Sequence, residues 1–240
     1  MKQTRISKVG LLAGILLLGG ITACKTQQLN TVSRSEKHVG WQSLFNGKNL
    51  DGWHTYLKDS PGKIWTVQDQ AIALDPGAGG GGDLVTNDEF ENFELKLDWK
   101  ISEGGNSGII FLVHEDPQYR ATYITGPEMQ VLDNVKASDN KKANHLAGSL
   151  YDLIGADPKT VNPAGEWNHV MIRLDKGHLT FWMNGKKVVE TQMWDDAWNK
   201  MIAGSKFNNW KEFATFHKGH IALQDHGHKV WYRNIEIKKL

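Results

Sequence analysis

The chain has 240 residues, long enough for one large domain behind a leader, and 28 basic against 27 acidic residues leave a net charge of +1. So even a balance gives no electrostatic case for a nucleic-acid partner. Ten tryptophans and 25 glycines suit a β-rich protein with many turns, whether or not it handles sugars.

The first 24 residues read as a targeting segment and are set aside from fold reasoning. Lys2, Arg5 and Lys8 form a basic start, and residues 9–20 are an apolar run too short for a comfortable membrane-spanning helix. Ile21-Thr-Ala-Cys24 then fits a bacterial lipobox: a branched residue, two small ones and a cysteine. Cys24 is the only cysteine, so no disulfide forms within the chain, and the thiol is expected to accept a lipid after cleavage. The competing reading is an ordinary signal peptide with a chance cysteine. Residues 25–40 are polar without apolar periodicity and are expected to be a flexible tether, with the folded domain occupying residues 41–240. The expected location is the bacterial cell envelope, the outer membrane or periplasm, with the lipid on Cys24 as the membrane contact.

From Trp41 onward short strands alternate with turn residues. Trp65-Thr-Val67 and Ala71-Ile-Ala-Leu74 flank a turn at Gln68-Asp-Gln70. The glycines from 77 to 82 lack the strand-to-helix setting and the Lys-Ser/Thr of a phosphate cradle, which excludes a nucleotide loop. Between Phe93 and Ile101 the alternation is clean, with Leu95, Leu97, Trp99 and Ile101 inward and the charged residues in water. In the apolar segment after Asn106, the residues Asn106, Gly108 and His114 share a parity opposed to Phe111 and Val113. Residues 167–189 read as paired strands around 175–178, and Asn184-Gly185 supplies a tight turn. Residues 193–210 fit a short helix or irregular excursion, and two closing strands flank Asp225-His-Gly-His228. Many short antiparallel strands without a sustained helix or an internal linker predict an all-β protein, a single-domain antiparallel β-sandwich.

The chemistry is sought on strand faces, where side chains of one parity gather. In residues 125–134, Met129 and Val131 face a core while Glu128 and Gln130 face the other way. Asp133 joins them only if a bulge adds one residue. Ile221 and Leu223 face inward, which turns His220, Gln224 and, by extension, His226 outward. If these strands are neighbours, Asn106, Glu128, Gln130, His220, Gln224 and His226 line one shallow cleft. Trp182, opposed to Phe181 and Met183, is a candidate stacking platform, and His145 and Tyr151 are candidate donors from a loop. Arg233 shares parity with Ile235 and Ile237, which suggests a buried arginine paired to a carboxylate such as Asp133. Each has a plain reading too: Glu128 and Asp133 as solvated carboxylates, His226 as an exposed turn histidine beside Gly227, Tyr151 as packing. The histidines from 217 to 228 match no tetrahedral zinc spacing, so no metal ligand is assigned. No cofactor is predicted, and a divalent ion is left open. No Gly-x-Ser-x-Gly elbow is present for a serine nucleophile.

Several segments resemble a known family. Trp41-Gln-Ser-Leu-Phe-Asn-Gly-Lys-Asn-Leu-Asp-Gly-Trp53, Phe93-Glu-Leu-Lys-Leu-Asp-Trp99, Asn106-Ser-Gly-Ile-Ile-Phe111 and Glu128-Met-Gln-Val-Leu-Asp133 are similar to the 3-keto-disaccharide hydrolase family. So are Gly165-Glu-Trp-Asn168, Asn184-Gly185, Ile221-Ala-Leu-Gln-Asp-His-Gly227 and Trp231-Tyr-Arg-Asn-Ile235, in the same order over nearly all of the chain after residue 40. The resemblance implies a concanavalin A-like jelly roll, distantly similar to family 16 glycoside hydrolases, in proteins acting on oxidised glycosides. Family 16 enzymes present Glu-x-Asp-x-x-Glu, whereas this chain offers Glu128-x-Gln130-x-x-Asp133. An amide in the middle position weakens the case for a standard two-carboxylate displacement. A 3-keto sugar offers another route: the ketone acidifies the hydrogen at C2, a base removes it, the C1 substituent leaves by β-elimination, and water adds. In this scheme the implied base is Glu128 or His226, the orienting groups are Gln130, Asn106 and Arg233, and Asp133 supports a partner. The alternatives are a non-catalytic, lectin-like carbohydrate-binding lipoprotein and a structural domain for envelope assembly.

Overall fold

The computed structural model describes residues 28–240, together with Met1. Cys24, and with it the signal-peptide and lipid-anchor expectation, lies outside the described residues. Strands and helices occur in this order: α1 (Arg34–His38), β1 (Trp41–Ser43), β2 (Trp53–Thr55), β3 (Trp65–Gln68), β4 (Ala71–Leu74), β5 (Leu84–Thr86), β6 (Phe93–Ile101), β7 (Asn106–Val113), β8 (Glu128–Leu132), β9 (Asn168–Asp175), β10 (His178–Met183), β11 (Lys186–Gln192), α2 (Asp196–Ala203), β12 (His220–Leu223) and β13 (Val230–Lys239). Two antiparallel sheets face each other. One has eight strands in the order β11-β10-β9-β6-β13-β4-β3, with β1 added against β13; the other has five, β2-β5-β12-β7-β8. The fold is therefore the antiparallel β-sandwich that the alternation predicts, of the jelly-roll type that the resemblance implies.

Strand β6 shows why these residues fold this way. Its alternation puts Leu95, Leu97, Trp99 and Ile101 into the main core, where they meet Ile109, Phe111, Met129 and Val131 from the opposite sheet. Each such buried side chain contributes about 1.5–3 kcal/mol of transfer free energy. The turn at Gln68-Asp69-Gln70 is tight because Asp69 and Gln70 take φ of 50° and 61°, and the tight turn at Asn184-Gly185 has φ of 48° and 81°, the all-positive pattern that matches strand twist. The excursion expected in residues 193–210 is α2, capped by Asp195 accepting from the Trp198 N–H at 2.7 Å, followed by a single-turn 3-10 helix, Lys206–Asn209.

Two bulges overturn parity assignments. Leu112 has φ of 54°, so Phe111 and Leu112 both enter the main core while Val113 joins Tyr56, Val85, Ile110 and Ala222 on the outer face of the five-stranded sheet. Val113 and His114 therefore do not follow the alternation set by Asn106. Asn234 has φ of 51°, and the β13–β6 register slips between Arg233 and Glu236. Arg233 consequently leaves the face of Ile235 and Ile237.

The expected tether is ordered over its described part. Asn30 and Asn234 exchange hydrogen bonds of 2.7 and 2.8 Å between backbone N–H and side-chain oxygen. Ser33 caps α1 in a capping box with Glu36, and Glu36 in turn pairs with Lys96 at 2.5 Å. Ordered structure thus begins well before residue 41. Among the described residues no helix is long and apolar enough to cross a membrane.

Candidate active site

A pocket of about 330 Å³ opens on the outer face of the five-stranded sheet. Its floor is a row across three strands. Gly108 in β7 lies opposite Gln130 in β8, and the Gln224 N–H donates to the Gly108 carbonyl at 3.0 Å. Gln130 and Gln224 thus flank a position without a side chain, which leaves space above it for a neighbour. Glu128, one pleat along β8, leans over that space: a Cβ on Gly108 would overlap its carboxylate. Asn106 and His226 complete the polar lining. The parity argument therefore brings Asn106, Glu128, Gln130, Gln224 and His226 to one hollow.

Glu128 is 8% exposed. Burial, with no hydrogen bond to offset it, pushes its carboxyl up to about 8; the Lys206 charge opposes this, and Asp83 and Asp139 reinforce it. At neutral pH the folded protein holds Glu128 protonated. Asp83 is a second buried carboxyl, raised to about 6 mainly by desolvation. It accepts from the Thr122 hydroxyl and from the Asp225 N–H at 2.8 Å. Asp225 in turn accepts from the N–H groups of Gly82 at 2.9 Å and Gly227 at 3.0 Å, which fixes the turn carrying His226. Gly227 takes φ of 75°, a conformation that a residue with a Cβ rarely adopts.

A loop pairs with the free edge of β8. Gln130 donates its N–H to the Ser149 carbonyl, and Tyr151 donates its N–H to the Glu128 carbonyl, both at 3.0 Å. This brings Tyr151 to the pocket, where its hydroxyl donates to Asp139 at 2.8 Å. His145 lies behind the pocket and not in it: its two ring nitrogens sit 2.7 Å from Asp139 and from Asp152. Asp152 also accepts the Lys206 N–H at 3.0 Å. Lys206 Nζ stands 3.9 Å from the centre of the Tyr151 ring. Tyr123, Phe207, Trp210 and Phe213 form the apolar wall.

Other expected site residues fall elsewhere. Asp133 needs a bulge to join Glu128 and Gln130, but the β7–β8 register runs without a shift. Its carboxylate instead accepts the N–H groups of Gly104 at 2.8 Å and Val135 at 3.0 Å, closing the turn between β6 and β7. Trp182 does point away from Phe181 and Met183, but from the eight-stranded sheet, so it lies on the far side of the molecule. Arg233 lies there too; it donates to Asp98 at 3.1 Å, not to Asp133, and stacks 3.9 Å from the Trp167 ring centre. His220 sits at the other end of β12, with Nδ1 2.6 Å from the Thr86 carbonyl. Sequence reasoning missed Asp139, Lys206 and the aromatic wall, which come from loops and single-turn 3-10 helices too short to show a period. Among the described residues no group of three or more His, Cys, Asp or Glu side chains is arranged to hold a metal ion.

Comparison with known proteins places this geometry in context. Residues 40–238 match the model of the 3-keto-alpha-glucoside-1,2-lyase-like domain. A 3-keto-disaccharide hydrolase of Bacteroides thetaiotaomicron is 38% identical over 243 residues, covering 90% of this chain and 84% of that protein. A candidate glycosyl hydrolase of Parabacteroides distasonis, known from a crystal structure, superposes with a TM-score of 0.83 at 33% identity, over 89% of this chain and all of the other. A second from the same organism gives 0.66 at 33% identity, over 83% and 99%. The chain belongs to the 3-keto-alpha-glucoside-1,2-lyase-like family.

Proposed function

We propose that this glycoside-hydrolase-like enzyme cleaves the glycosidic bond of 3-keto-glycosides, 3-keto-disaccharides among them, by removing the C2 proton, eliminating the C1 substituent and adding water. The observation that carries this reading is a buried Glu128 carboxyl set in one hollow with the imidazole of His226 and the amides of Asn106, Gln130 and Gln224. An elimination needs a base, a proton donor for the leaving oxygen and hydrogen-bond donors for the developing enolate. Between the two bases the sequence leaves open, the raised Glu128 carboxyl favours His226, because a carboxyl holding its proton at neutral pH is a donor and not an acceptor. Glu128 then protonates the departing C1 oxygen. The side-chain amides of Gln130 and Asn106 hold the C3 oxygen and the ring hydroxyls. Asp133 and Arg233 take no part, since both lie outside the hollow. The same relatives and pocket support a sugar as the partner. As an envelope protein, the chain would take its substrate outside the cytoplasm.

The test is to incubate the full chain with a 3-keto-disaccharide and with its unoxidised parent, following release of free sugar and deuterium uptake at C2 in heavy water. Release from the oxidised sugar alone, with deuterium at C2, is expected. Binding of both sugars with cleavage of neither would sink the reading in favour of a lectin-like protein.

A further inference from the structure

We propose that Lys206 is a covalent catalyst whose amine condenses with the C3 ketone of the substrate, so that an iminium ion, not the free ketone, acidifies the hydrogen at C2. The proposal rests on the keto-sugar reading above and extends it. Lys206 lines the same pocket as Glu128 and His226. Its backbone is pinned by the hydrogen bond to Asp152, and its amine stands over the Tyr151 ring. Asp152 pairs with His145 at 2.7 Å and with Lys142 at 3.4 Å, and among the described residues Lys206 has no salt bridge. The chain thus presents an amine with no salt bridge to a pocket lined by a carboxylic acid, the pair of groups that imine formation needs. Loss of water around the amine lowers its pKa, although Glu128, Asp152 and Asp139 pull it back up, and this increases the fraction able to attack.

The chemistry balances without a redox partner. The Nζ lone pair attacks C3 while the ketone oxygen takes the Glu128 proton; a further proton transfer releases that oxygen as water and leaves the iminium. His226 removes the C2 proton, and the electron pair moves toward nitrogen as an enamine. Its return breaks the C1–O bond, and the departing oxygen leaves as an alcohol with the proton that His226 took from C2, the Glu128 proton having gone to the C3 oxygen. Water adds to C1 of the conjugated iminium, C2 regains a proton, and a second water hydrolyses the iminium to ketone and free lysine. One water is released and two are consumed, so the sum is hydrolysis of one glycosidic bond.

The experiment is turnover of a 3-keto-glucoside by the full chain with cyanoborohydride present, which reduces iminium ions in preference to ketones. Intact-mass and peptide mapping should locate one reduced adduct on Lys206, formed in step with loss of activity and suppressed by excess unoxidised glucoside. Lys206→Met should abolish the adduct, and Lys206→Arg, which keeps the charge but cannot form an imine, should lose roughly a hundredfold or more in rate. Lys206 makes no salt bridge among the described residues, so both variants should melt close to the wild type. Brisk turnover with no label at Lys206, or near-normal rates for Lys206→Arg, would overturn the covalent role and leave the elimination reading intact. A wild type that neither turns over the keto-sugar nor becomes labelled would remove both.

Discussion

The role proposed for Glu128 ties stability to chemistry through one proton. Its folded pKa, raised to about 8, lies above the ordinary carboxyl value, so the folded state binds a proton that the unfolded state has lost. Stability from this group is fully present below the unfolded pKa, near 4.5, and is lost as pH rises through 8. Glu128→Gln removes the ionisation. That variant should melt above the wild type at pH 8, with the gap closing toward pH 5, as differential scanning calorimetry can measure. The same substitution should cost roughly a hundredfold or more in turnover of a 3-keto-glucoside, as should His226→Ala. If Glu128 donates its proton, kcat of the wild type should also fall above about pH 8. A variant both less stable at pH 8 and fully active would contradict both halves of this account.

At the scale of strands and turns, the sandwich was legible because backbone and burial share a period of two. The alternation in β6, the turn at Gln68-Asp-Gln70 and the Asn184-Gly185 hairpin lie where the pattern puts them. The floor of the pocket was legible for the same reason: Glu128, Gln130 and Gln224 sit on regular strand or just beyond it. Parity fails in two physical circumstances. A left-handed residue inside a strand, Leu112 or Asn234, shifts every later side chain to the other face. Parity also names a face of a strand and never which of two sheets the strand joins, which is why Trp182 and Arg233 were expected beside Glu128. Asp139 and Trp210 lie on loops and Lys206 opens a single-turn 3-10 helix, where no repeat marks orientation. Two variants test this division. Gly108→Ala should abolish most activity by displacing the Glu128 carboxylate, with a smaller effect on melting than on rate. Asp133→Ala should do the reverse, destabilising by about 1–3 kcal/mol through two orphaned N–H groups, with turnover by the folded fraction within about twofold of wild type. Denaturant melts with rates normalised to folded protein separate the two.

For the whole molecule, the two sheets divide the work. The five-stranded sheet carries the pocket, while the outer face of the eight-stranded sheet carries Trp182 and the Asp98–Arg233 contact. Trp182→Ala should therefore leave the kinetics of a 3-keto-disaccharide within about twofold of wild type; a large rise in KM would return Trp182 to the substrate. The lipid anchor proposed at Cys24 is tested apart from catalysis. Cys24→Ser should block palmitate incorporation and move the protein from the membrane to the soluble fraction, with no change in specific activity.

The paired amides of Asn30 and Asn234 fasten the start of the ordered chain to the back sheet, the one without the hollow. A lipid on Cys24, as proposed, would tie the body down on the side of this back sheet. With the mooring point at a lipid surface, the catalytic mouth would look outward, toward arriving glycosides, and headgroups would brush the tryptophan-bearing side instead.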